Sequence, residues 1–322
     1  MPAPPWTGGT TAWMQQSFDT GRMRVALAFG LTDERSDAPC AQLCELTGRD
    51  EIELVALRDA LPIEQSVTIA ARSCLSLAGI DKPSQADVAE LGCGDLNRLL
   101  IAIHRLNFGP AVDAVATCGA LDCDEAMDID LDLDRMLAEE PGAAVAPRQR
   151  IAMEIVRRPY QLDLALPRVG TLVAVARRAV SDGPAASRLL LDDTLVGLAS
   201  TDGKRGIGRK RALARVDVRQ RIEAWVLATD RFARLDIRGQ CPRCGGATNL
   251  LFDPGTFLLA RLRRQHDILD EVDLIASHYH WSEAEILDLP ISRRRAYLTR
   301  IAARLTETSS PPTLAYARET AA

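Results

Sequence analysis

Hydrophobic and polar residues alternate in several short stretches of this chain, which is the pattern of strands with one buried face. RMRVALAF at residues 22–29 alternates in this way, as do DAVAT before Cys118 and ARLDIRG before Cys241. In MDIDLDLDRML every second residue is an acid, and these acids are Asp128, Asp130, Asp132 and Asp134. Alternation places the acids on one face and apolar residues on the other, so we predict a half-buried acidic strand here.

Apolar residues that recur every three or four positions predict helices between these strands. LTGRDEIELVALRDAL predicts a helix with Thr47 as its candidate N-cap, followed by acids in the first turn. TIAARSCLSLAG predicts an apolar helix, and DLNRLLIAIHRLNFG predicts another that leads toward Cys118. His104 lies in this last helix and is predicted to be a partly buried histidine whose hydrogen bonds are satisfied.

Two segments of the chain show the same succession of patterns. Residues 95–137 and 217–259 each run through a helical apolar pattern, a short alternating stretch, a cysteine pair and an acidic, apolar-rich stretch. The simplest interpretation is two copies of a helix–strand–knuckle–strand unit, the alternative being chance similarity of α+β patterns. We predict that residues 23–137 and 154–259 superpose as one fold about a pseudo-twofold axis.

The predicted fold class is α+β and helix-rich: two pseudo-repeats, each of helices plus a zinc-ribbon-like β-hairpin, followed by a C-terminal helical segment. Shifts in Pro, Gly, Ser and charge content place the boundaries. The predicted order is a flexible N-terminal arm (1–22), a first repeat with a cysteine knuckle (23–138), a linker (139–153), a second repeat with the CPRC knuckle (154–260), a C-terminal helical docking segment (261–305) and a disordered tail (306–322).

The cysteine pairs are the strongest chemical signal in the sequence. In CPRCGG, Cys241 and Cys244 lie on a tight turn from which two thiolates can hold one tetrahedral ion, and the glycines let backbone N–H groups point at sulfur. In CGALDC, Cys118 and Cys123 have a longer spacing that zinc also permits. If the two repeats pack about a twofold axis, all four thiolates can hold one structural Zn²⁺.

Two other completions of the site remain open from the sequence. Cys241 and Cys244 could bind zinc together with His278, His280 or an aspartate, or the knuckle could be degenerate and hold no metal. The remaining cysteines lie in or beside apolar helical patterns and are predicted to be buried small hydrophobic residues. They are Cys40, Cys44, Cys74 and Cys93.

The stretch IASHYHWSEAEILDLPISRRRAYLTRI, at residues 275–301, predicts three helices. A long amphipathic helix that begins at ARLRRQH ends near HYH. Ser282 and Glu285 form a capping box for a short helix, which Pro290 ends. Ser292 is then predicted to cap the last helix.

Aromatic and cationic side chains in this stretch are the candidate partner-binding residues. Tyr279 and Trp281 are predicted to anchor neighbouring helices and to bind a partner, because such residues dominate interface energetics. Arg293, Arg294 and Arg295 occupy the first turn of the last helix, where the helix dipole disfavours cations. We predict that they meet an acidic partner or carboxylates elsewhere in the chain, the alternative being a solvated basic edge.

Composition and charge narrow the functional class. Hydrophobic residues make up 47% of the chain and charged residues 26%, as in ordinary globular proteins. The net charge of −5 argues against bulk electrostatic binding of nucleic acid or acidic membranes, and no apolar run is long enough to span a bilayer. The N-terminus lacks the pattern of a secretory signal, so we expect a cytoplasmic protein with reduced cysteines.

No catalytic constellation is apparent in the sequence. STDGKRGIGRK at residues 200–210 lacks the order of a phosphate-binding loop and is predicted to be a solvated basic loop. A metallohydrolase that used His278 and His280 would lack a third ligand at a usual spacing. We therefore expect a protein that is not an enzyme and that has no small-molecule substrate.

The phrase YHWSEAEILDLPISRRRAYL resembles the C-terminal segment of proteins encoded in tailed-phage and contractile-injection-system clusters. The upstream order is similar to that of phage baseplate proteins related to the T-even hub-assembly family: LTGRDE precedes a helix with Leu99, Leu100, Phe108 and Gly109, and then CGALDC. The resemblance covers most of residues 23–305. The first knuckle is longer than in that pattern, and the second copy has TDRFA in place of the Phe-Gly ending.

This resemblance implies a structural or assembly role in a phage tail or in the baseplate of a contractile injection system. It implies other tail or baseplate proteins as partners, incorporation into the particle and no catalytic residues. The alternative function is that of a zinc-ribbon regulatory protein that binds nucleic acid.

Overall fold

The computed structural model describes residues 21–31, 39–120, 122–139, 146–263 and 268–309. These residues form a mixed α+β fold, as predicted. The first half of the chain comprises β1 (Arg22–Ala26), β2 (Cys40–Cys44), α1 (Gly48–Ala56), α2 (Pro62–Ser73), β3 (Cys74–Leu77), β4 (Ile80–Asp81), α3 (Gln85–Ala89), α4 (Cys93–Phe108), β5 (Ala111–Thr117), β6 (Ala126–Asp132) and α5 (Leu133–Ala138).

The second half comprises β7 (Arg148–Ile155), β8 (Arg158–Ala165), α6 (Val169–Ala179), α7 (Gly183–Thr194), β9 (Leu195–Ser200), α8 (Arg209–Leu213), α9 (Val216–Thr229), β10 (Leu235–Gln240), β11 (Ala247–Phe252) and α10 (Pro254–Arg263). The C-terminal segment comprises α11 (Ile268–Tyr279), α12 (Glu283–Leu287) and α13 (Ile291–Ser309). None of these described helices is both long and apolar enough to cross a membrane.

The two halves present the same order of elements, apart from β4. Each begins with an antiparallel sheet, in the order β1-β2-β3-β4 or β7-β8-β9, and each ends with a separate two-stranded hairpin, β5-β6 or β10-β11. The second strand of each sheet also carries a shift of register, at Gln42/Leu43 and at Asp163/Leu164. This common order supports the predicted duplication; superposition of the halves stays a prediction.

Helix α4 is the centre of the main hydrophobic core. Leu99, Ile101 and Ile103 are at most 1% exposed and pack with residues of the first sheet, α2 and α10. A second core lies between the second sheet and α9, and a third lies within the C-terminal segment. Helix α10 belongs to the second half, since it follows the second hairpin, but it packs on α4 of the first half. The main core is therefore shared by the two halves.

The buried carboxylate of Asp95 links the start of α4 to the residues that follow β1. Asp95 accepts hydrogen bonds from the backbone N–H groups of Ala28, Phe29 and Gly30, at 2.6, 3.0 and 2.9 Å. These three N–H groups lie beyond β1 and have no strand partner, so the carboxylate satisfies donors that would otherwise be buried without one.

Asp230, at the end of α9, joins the second half to the same helix. Its carboxylate accepts from the N–H of Gly94 at 2.8 Å, at the N-terminus of α4, where negative charge is favoured. A side chain at position 94 would collide with this carboxylate, so only glycine fits. Burial, the largest influence, raises the pKa of Asp230 to about 6.

Several predicted boundaries are wrong. The linker at 139–153 is too long, because β7 pairs with β8 from Arg148 onward, so the second half begins before residue 154. Helix α13 reaches Ser309, so the tail cannot begin at 306. Arg22 belongs to β1 and not to the N-terminal arm, and α10 crosses the boundary placed at residues 260 and 261.

Two predictions about single elements are also wrong. TIAARSCLSLAG is not one helix: α2 ends at Ser73, and Cys74–Leu77 pairs with β2 as a strand. Residues 209 and 210 belong to α8 rather than to a basic loop. Residues 1–20 and 310–322 of the predicted arm and tail, and residues 264–267 of the predicted long helix, lie outside the described residues.

Candidate metal centre

Both cysteine pairs lie at the tips of two-stranded hairpins, as predicted. The last pair of β5 and β6 is Thr117 with Ala126, and the following turn carries the first cysteine pair. The last pair of β10 and β11 is Gln240 with Ala247, and the turn between them carries the second. In each hairpin the alternating stretch of the sequence forms the strand, because one face packs and the other faces solvent.

The two tips meet and bring the four cysteines into one cluster. The Sγ atoms of Cys118 and Cys244 are 3.8 Å apart, and those of Cys123 and Cys241 are 3.7 Å apart. All four sulfurs lie within 4.8 Å of one another. A tetrahedral ion with thiolate ligands at about 2.3 Å holds its sulfurs about 3.8 Å apart, so the four residues fit such an ion.

The second turn has the local geometry that the sequence predicts for a knuckle. The N–H of Gly246 points at the Sγ of Cys244 across 3.4 Å. Gly245 has a φ of +69°, a conformation that glycine adopts without strain. In the first turn the left-handed residue is Asp122, with a φ of +65°. Aspartate tolerates this conformation better than most other residues, so the longer turn closes without glycine there.

The four cysteines differ in burial, and hydrogen bonds from the backbone change the pKa values of some of their thiols. Cys118, Cys123 and Cys241 are buried, and Cys244 is exposed. Hydrogen bonds from backbone N–H groups, that of Cys244 foremost, lower the pKa of Cys241 to about 7. The backbone N–H of Glu125 lowers the pKa of Cys123, but burial and the neighbouring thiols together outweigh it and raise that pKa to about 12. A metal ion binds cysteine as the thiolate, so binding at this cluster displaces the thiol protons.

Neighbouring side chains pack around the cluster, and an ion pair links the two tips. Met127 is buried among the cysteines, and Ala116 packs against them. Arg243 on one tip lies 3.8 Å from the carboxylate of Glu125 on the other. The ligand set therefore joins two hairpin tips that are far apart in the chain.

None of the described histidines belongs to this site. Among the described residues the four cysteines are the one group of metal-binding side chains close enough to hold an ion, and His278 and His280 are not part of it. The Nδ1 atom of His278 instead lies 2.9 Å from the carbonyl oxygen of Leu274 on its own helix. Of the completions that the sequence left open, the described structure brings together the shared one.

The predicted aromatic anchors pack within the C-terminal segment. The rings of Tyr279 and Trp281 are 5.3 Å apart, and Tyr297 of α13 lies 5.2 and 4.9 Å from them. Both predicted residues are half-buried. They join α11 to α13, as expected of anchors between helices, so much of their surface is not available to a partner.

The three arginines of α13 have different environments. Arg294 is 1% exposed and pairs with Glu51 and Glu271, so its assignment as a partner-binding residue is wrong; the predicted alternative, carboxylates elsewhere in the chain, holds for it. Arg295 is half-buried, with its guanidinium 4.7 Å from the ring centre of Phe108. Arg293 is exposed.

The C-terminal segment docks on the first half of its own chain. Thr47 and Pro290 form an antiparallel bridge in which the N–H of Ile291 donates to the carbonyl of Leu46 at 3.0 Å. The N–H of Ser292 donates to the carboxylate of Glu45 at 3.1 Å. Ser292 is therefore not an N-cap, because α13 begins one residue earlier, at Ile291.

The other cysteines and His104 complete the set of predicted residues. Cys74 is buried, and burial raises its pKa to about 12; Cys40, Cys44 and Cys93 are partly buried. His104 is buried, and its Nδ1 has no hydrogen-bond partner among the described residues, so the predicted hydrogen bond is not found there. Burial, and then Arg261, lower its pKa to about 4, which keeps the ring neutral.

Sequence reasoning missed the buried polar residues that hold α4 in place. Asp95, Asp230 and Arg98 are buried, and Arg98 donates to three backbone carbonyl groups. The available signal was a charged residue on the apolar face of a helix, at positions 95 and 98 of DLNRLL.

Comparison of the chain with models of known families, with curated proteins and with solved structures gives no match.

Proposed function

We propose that this protein is a non-enzymatic structural or assembly component of a phage tail or of a contractile injection system baseplate, with one structural zinc ion that braces its two halves. The observation that carries the zinc proposal is the convergence of two hairpin tips, which places four sulfurs at the separations of a tetrahedral site. Four thiolates fill the coordination shell of zinc and leave no position for substrate, so the ion would supply folding free energy.

The residue-level resemblance of the segments LTGRDE, CGALDC and YHWSEAEILDLPISRRRAYL to tail-cluster proteins supports the phage-tail context. The expected partners are other tail or baseplate proteins. A rigid unit of two braced halves and a fastened C-terminal segment suits a role that consists of presenting surfaces in fixed relative positions.

A nucleic-acid-binding zinc ribbon is the alternative, and the charges near the cluster argue against it. Exposed acids occupy the outer face of β6 and the adjoining turn: Asp124, Asp128 and Asp130. Carboxylates at these positions repel phosphate, whereas nucleic-acid-binding ribbons need cations there.

The test of the tail-assembly role is a deletion of the gene in a strain that produces the particles. We expect absent or truncated tails in electron micrographs, restored by the wild-type gene and not by a Cys241→Ser gene. A Cys40→Ser gene is the matched control and should restore assembly. Normal particles from the deletion strain would refute the role, and so would genomic neighbours that include no sheath, tube, spike or tape-measure gene.

A further inference from the structure

The outer edge of β5 carries backbone groups with which no described strand pairs. β5 and β6 form a separate two-stranded sheet, so each strand has one partner. The N–H of Cys118 donates to the carbonyl of Glu125, and the N–H of Leu133 donates to the carbonyl of Pro110. Hydrogen-bonded and non-bonded pairs alternate in an antiparallel ladder, so the even-numbered residues of β5 bond to β6. The groups that point away from β6 belong to Ala111, Asp113, Val115 and Thr117.

A cleft of about 520 Å³ runs along this edge. Five successive residues of β5, 111–115, line it. Successive side chains of a strand point to opposite faces, so a cleft that contacts all five residues lies beside the edge and not over one face. Among the described residues, the backbone groups of 111–115 hydrogen-bond to β6 and to nothing else. The cleft therefore borders on unpaired backbone donors and acceptors.

Helices form the other walls of the cleft. The lining residues of α10 lie on one helical face, and those of α4 are one turn apart. They are Thr256, Phe257, Ala260 and Arg261 on α10 and His104 and Phe108 on α4. An extended peptide can add a strand to an open edge, while neighbouring side chains bind every second residue of the peptide. An edge strand beside two helices provides for both kinds of contact.

Charge distinguishes the two edges of this hairpin. The outward residues of β6 include Asp128, Asp130 and Asp132, which are all exposed. Charged side chains on an edge strand oppose further pairing. On β5 the outward residues carry a single acid, Asp113, and Val115 beside it is 70% exposed. The β5 edge is therefore the one that favours an added strand.

A cation on α10 indicates the charge of the occupant. Arg261 is exposed and makes no ion pair with the described residues; its guanidinium lies 5.6 Å from the ring centre of Phe108. The guanidinium of Arg295 lies 4.7 Å from the same ring centre. Asp113 lies on the other face of β5, since its side chain is exposed whereas that of Val112 packs in the core with residues of α4. A carboxylate on the side of the peptide that faces the helices complements these two cations.

We propose that the cleft between β5 and α10 binds an extended segment of another protein, which adds a strand to the β5 edge. The backbone of this segment pairs with the outward groups of β5. Its side chains that face the helices are apolar, against Phe108 and Phe257, apart from one acid that meets Arg261. The proposal goes beyond the tail-assembly role, because the contact depends on this cleft and holds for any partner with such a segment.

The probe is the most enriched peptide from a yeast-displayed library of random peptides, selected on the purified full chain and synthesised with a fluorescein label. It should contain alternating apolar residues and an acid, and fluorescence anisotropy should show saturable binding. Arg261→Glu should weaken binding about tenfold, because repulsion replaces attraction. The matched control Arg238→Glu reverses an exposed charge on β10 and should bind like the wild type.

Two proline variants test the edge itself. Val115→Pro removes an outward N–H that β6 does not use, so the hairpin should remain and peptide binding should weaken about tenfold. The matched control is Asp128→Pro, because Asp128 lies directly opposite Val115 and its N–H points to the other edge of the hairpin. This control should bind the peptide like the wild type. Circular dichroism and zinc content check the folding of every variant.

Amide hydrogen exchange in the wild type tests the same contact without a substitution. In the free protein the amides of Asp113 and Val115 should exchange faster than those of Val112 and Ala114, which bond to β6. A saturating concentration of the peptide should slow exchange at Asp113 and Val115 and leave α9 unchanged. If Val115→Pro fails to fold, this measurement decides.

Three results would each overturn the proposal: no enriched peptide, equal losses of binding in the two folded proline variants, or unchanged exchange at Asp113 and Val115. A dimer that the peptide dissociates would assign the edge to a second copy of this chain and overturn it too. Faster exchange at Asp113 and Val115 after removal of residues 310–322 would assign the cleft to the chain's own C-terminal residues, with the same consequence. Failure of the particle test alone would leave the binding result intact.

Discussion

Arg294 on α13 donates a hydrogen bond of 2.5 Å to the carboxylate of Glu51 on α1, and both side chains are buried. Glu271 on α11 accepts a second bond from the same guanidinium at 3.0 Å. A charge removed from water is tolerated only with a partner, because its desolvation costs several kcal/mol. Buried ion pairs therefore hold the C-terminal segment against the first half.

Removal of Arg294 should destabilise the protein far more than removal of its neighbour. Arg294→Met leaves Glu51 and Glu271 buried without a cation, and we expect a loss of about 3 kcal/mol in the free energy of unfolding. The matched control is Arg293→Met, one residue away and exposed, with an expected change within about 0.5 kcal/mol. Urea unfolding followed by circular dichroism measures both, and equal losses would contradict an internal role for Arg294.

Loss of either cysteine pair should release the same metal ion. Purified wild-type protein should contain one zinc per chain, and Cys118→Ser should reduce zinc content as severely as Cys241→Ser, because four thiolates share one ion. Elemental analysis measures this, with Cys40→Ser as the control that keeps its zinc. A loss confined to Cys241→Ser would refute sharing, and a metal-free protein with an unchanged melting temperature would refute the structural role.

The buried carboxylate of Asp230 should make stability depend on pH. Burial raises its pKa to about 6, above the ordinary value of 3.8, so the folded state holds this proton more tightly than the unfolded state. Its contribution is full below the ordinary pKa and is lost as the pH rises through 6. The free energy of unfolding should fall by about 3 kcal/mol across this window.

Asp230→Asn removes the titrating group, so this part of the pH dependence should disappear in the variant. Denaturant unfolding from pH 4 to pH 8 measures the two slopes, and the exposed Asp273→Asn variant is the control that keeps the wild-type slope. Identical slopes in wild type and Asp230→Asn would show that the carboxylate does not titrate in this range.

Truncation of Trp281 should loosen the C-terminal segment locally. Trp281 packs on Tyr279 and Tyr297, and Trp281→Ala removes both contacts, with an expected loss of about 2 kcal/mol. Hydrogen exchange should rise in residues 268–309 and stay unchanged in α4. Leu274→Ala on the outer side of α11, where Leu274 is 37% exposed, is the control. Unchanged exchange in Trp281→Ala would mean that the aromatic cluster does not hold the segment.

Local signals in the sequence predicted what depends on residues a few positions apart. Thr47 caps α1, with Asp50 in return, and Ser282 and Glu285 form the predicted capping box. The acids of β6 alternate onto an exposed face because a strand turns its side chains to opposite sides. Such features are decided by the backbone within one turn or one strand.

Apolar runs without alternation were ambiguous for a physical reason. Cys74–Leu77 is a strand because it pairs with β2, although its residues continue an apolar helical pattern. Similarly, the residues after 147 form β7 because β8 supplies hydrogen bonds, and a linker-like composition does not reveal this partner. The competing local conformations are close in energy, so the tertiary partner decides between them.

The sequence by itself determined that two cysteine hairpins exist, that their strands alternate and that capped helices surround them, because these properties follow from local periodicity and turn chemistry. Only the tertiary structure decided that Cys118 meets Cys244, that Arg294 meets Glu51 and that Asp230 meets Gly94. Each of these contacts joins residues distant in the chain, and their separation depends on how whole helices and sheets pack. Packing fixes these positions through the summed burial of many side chains, which no single motif encodes.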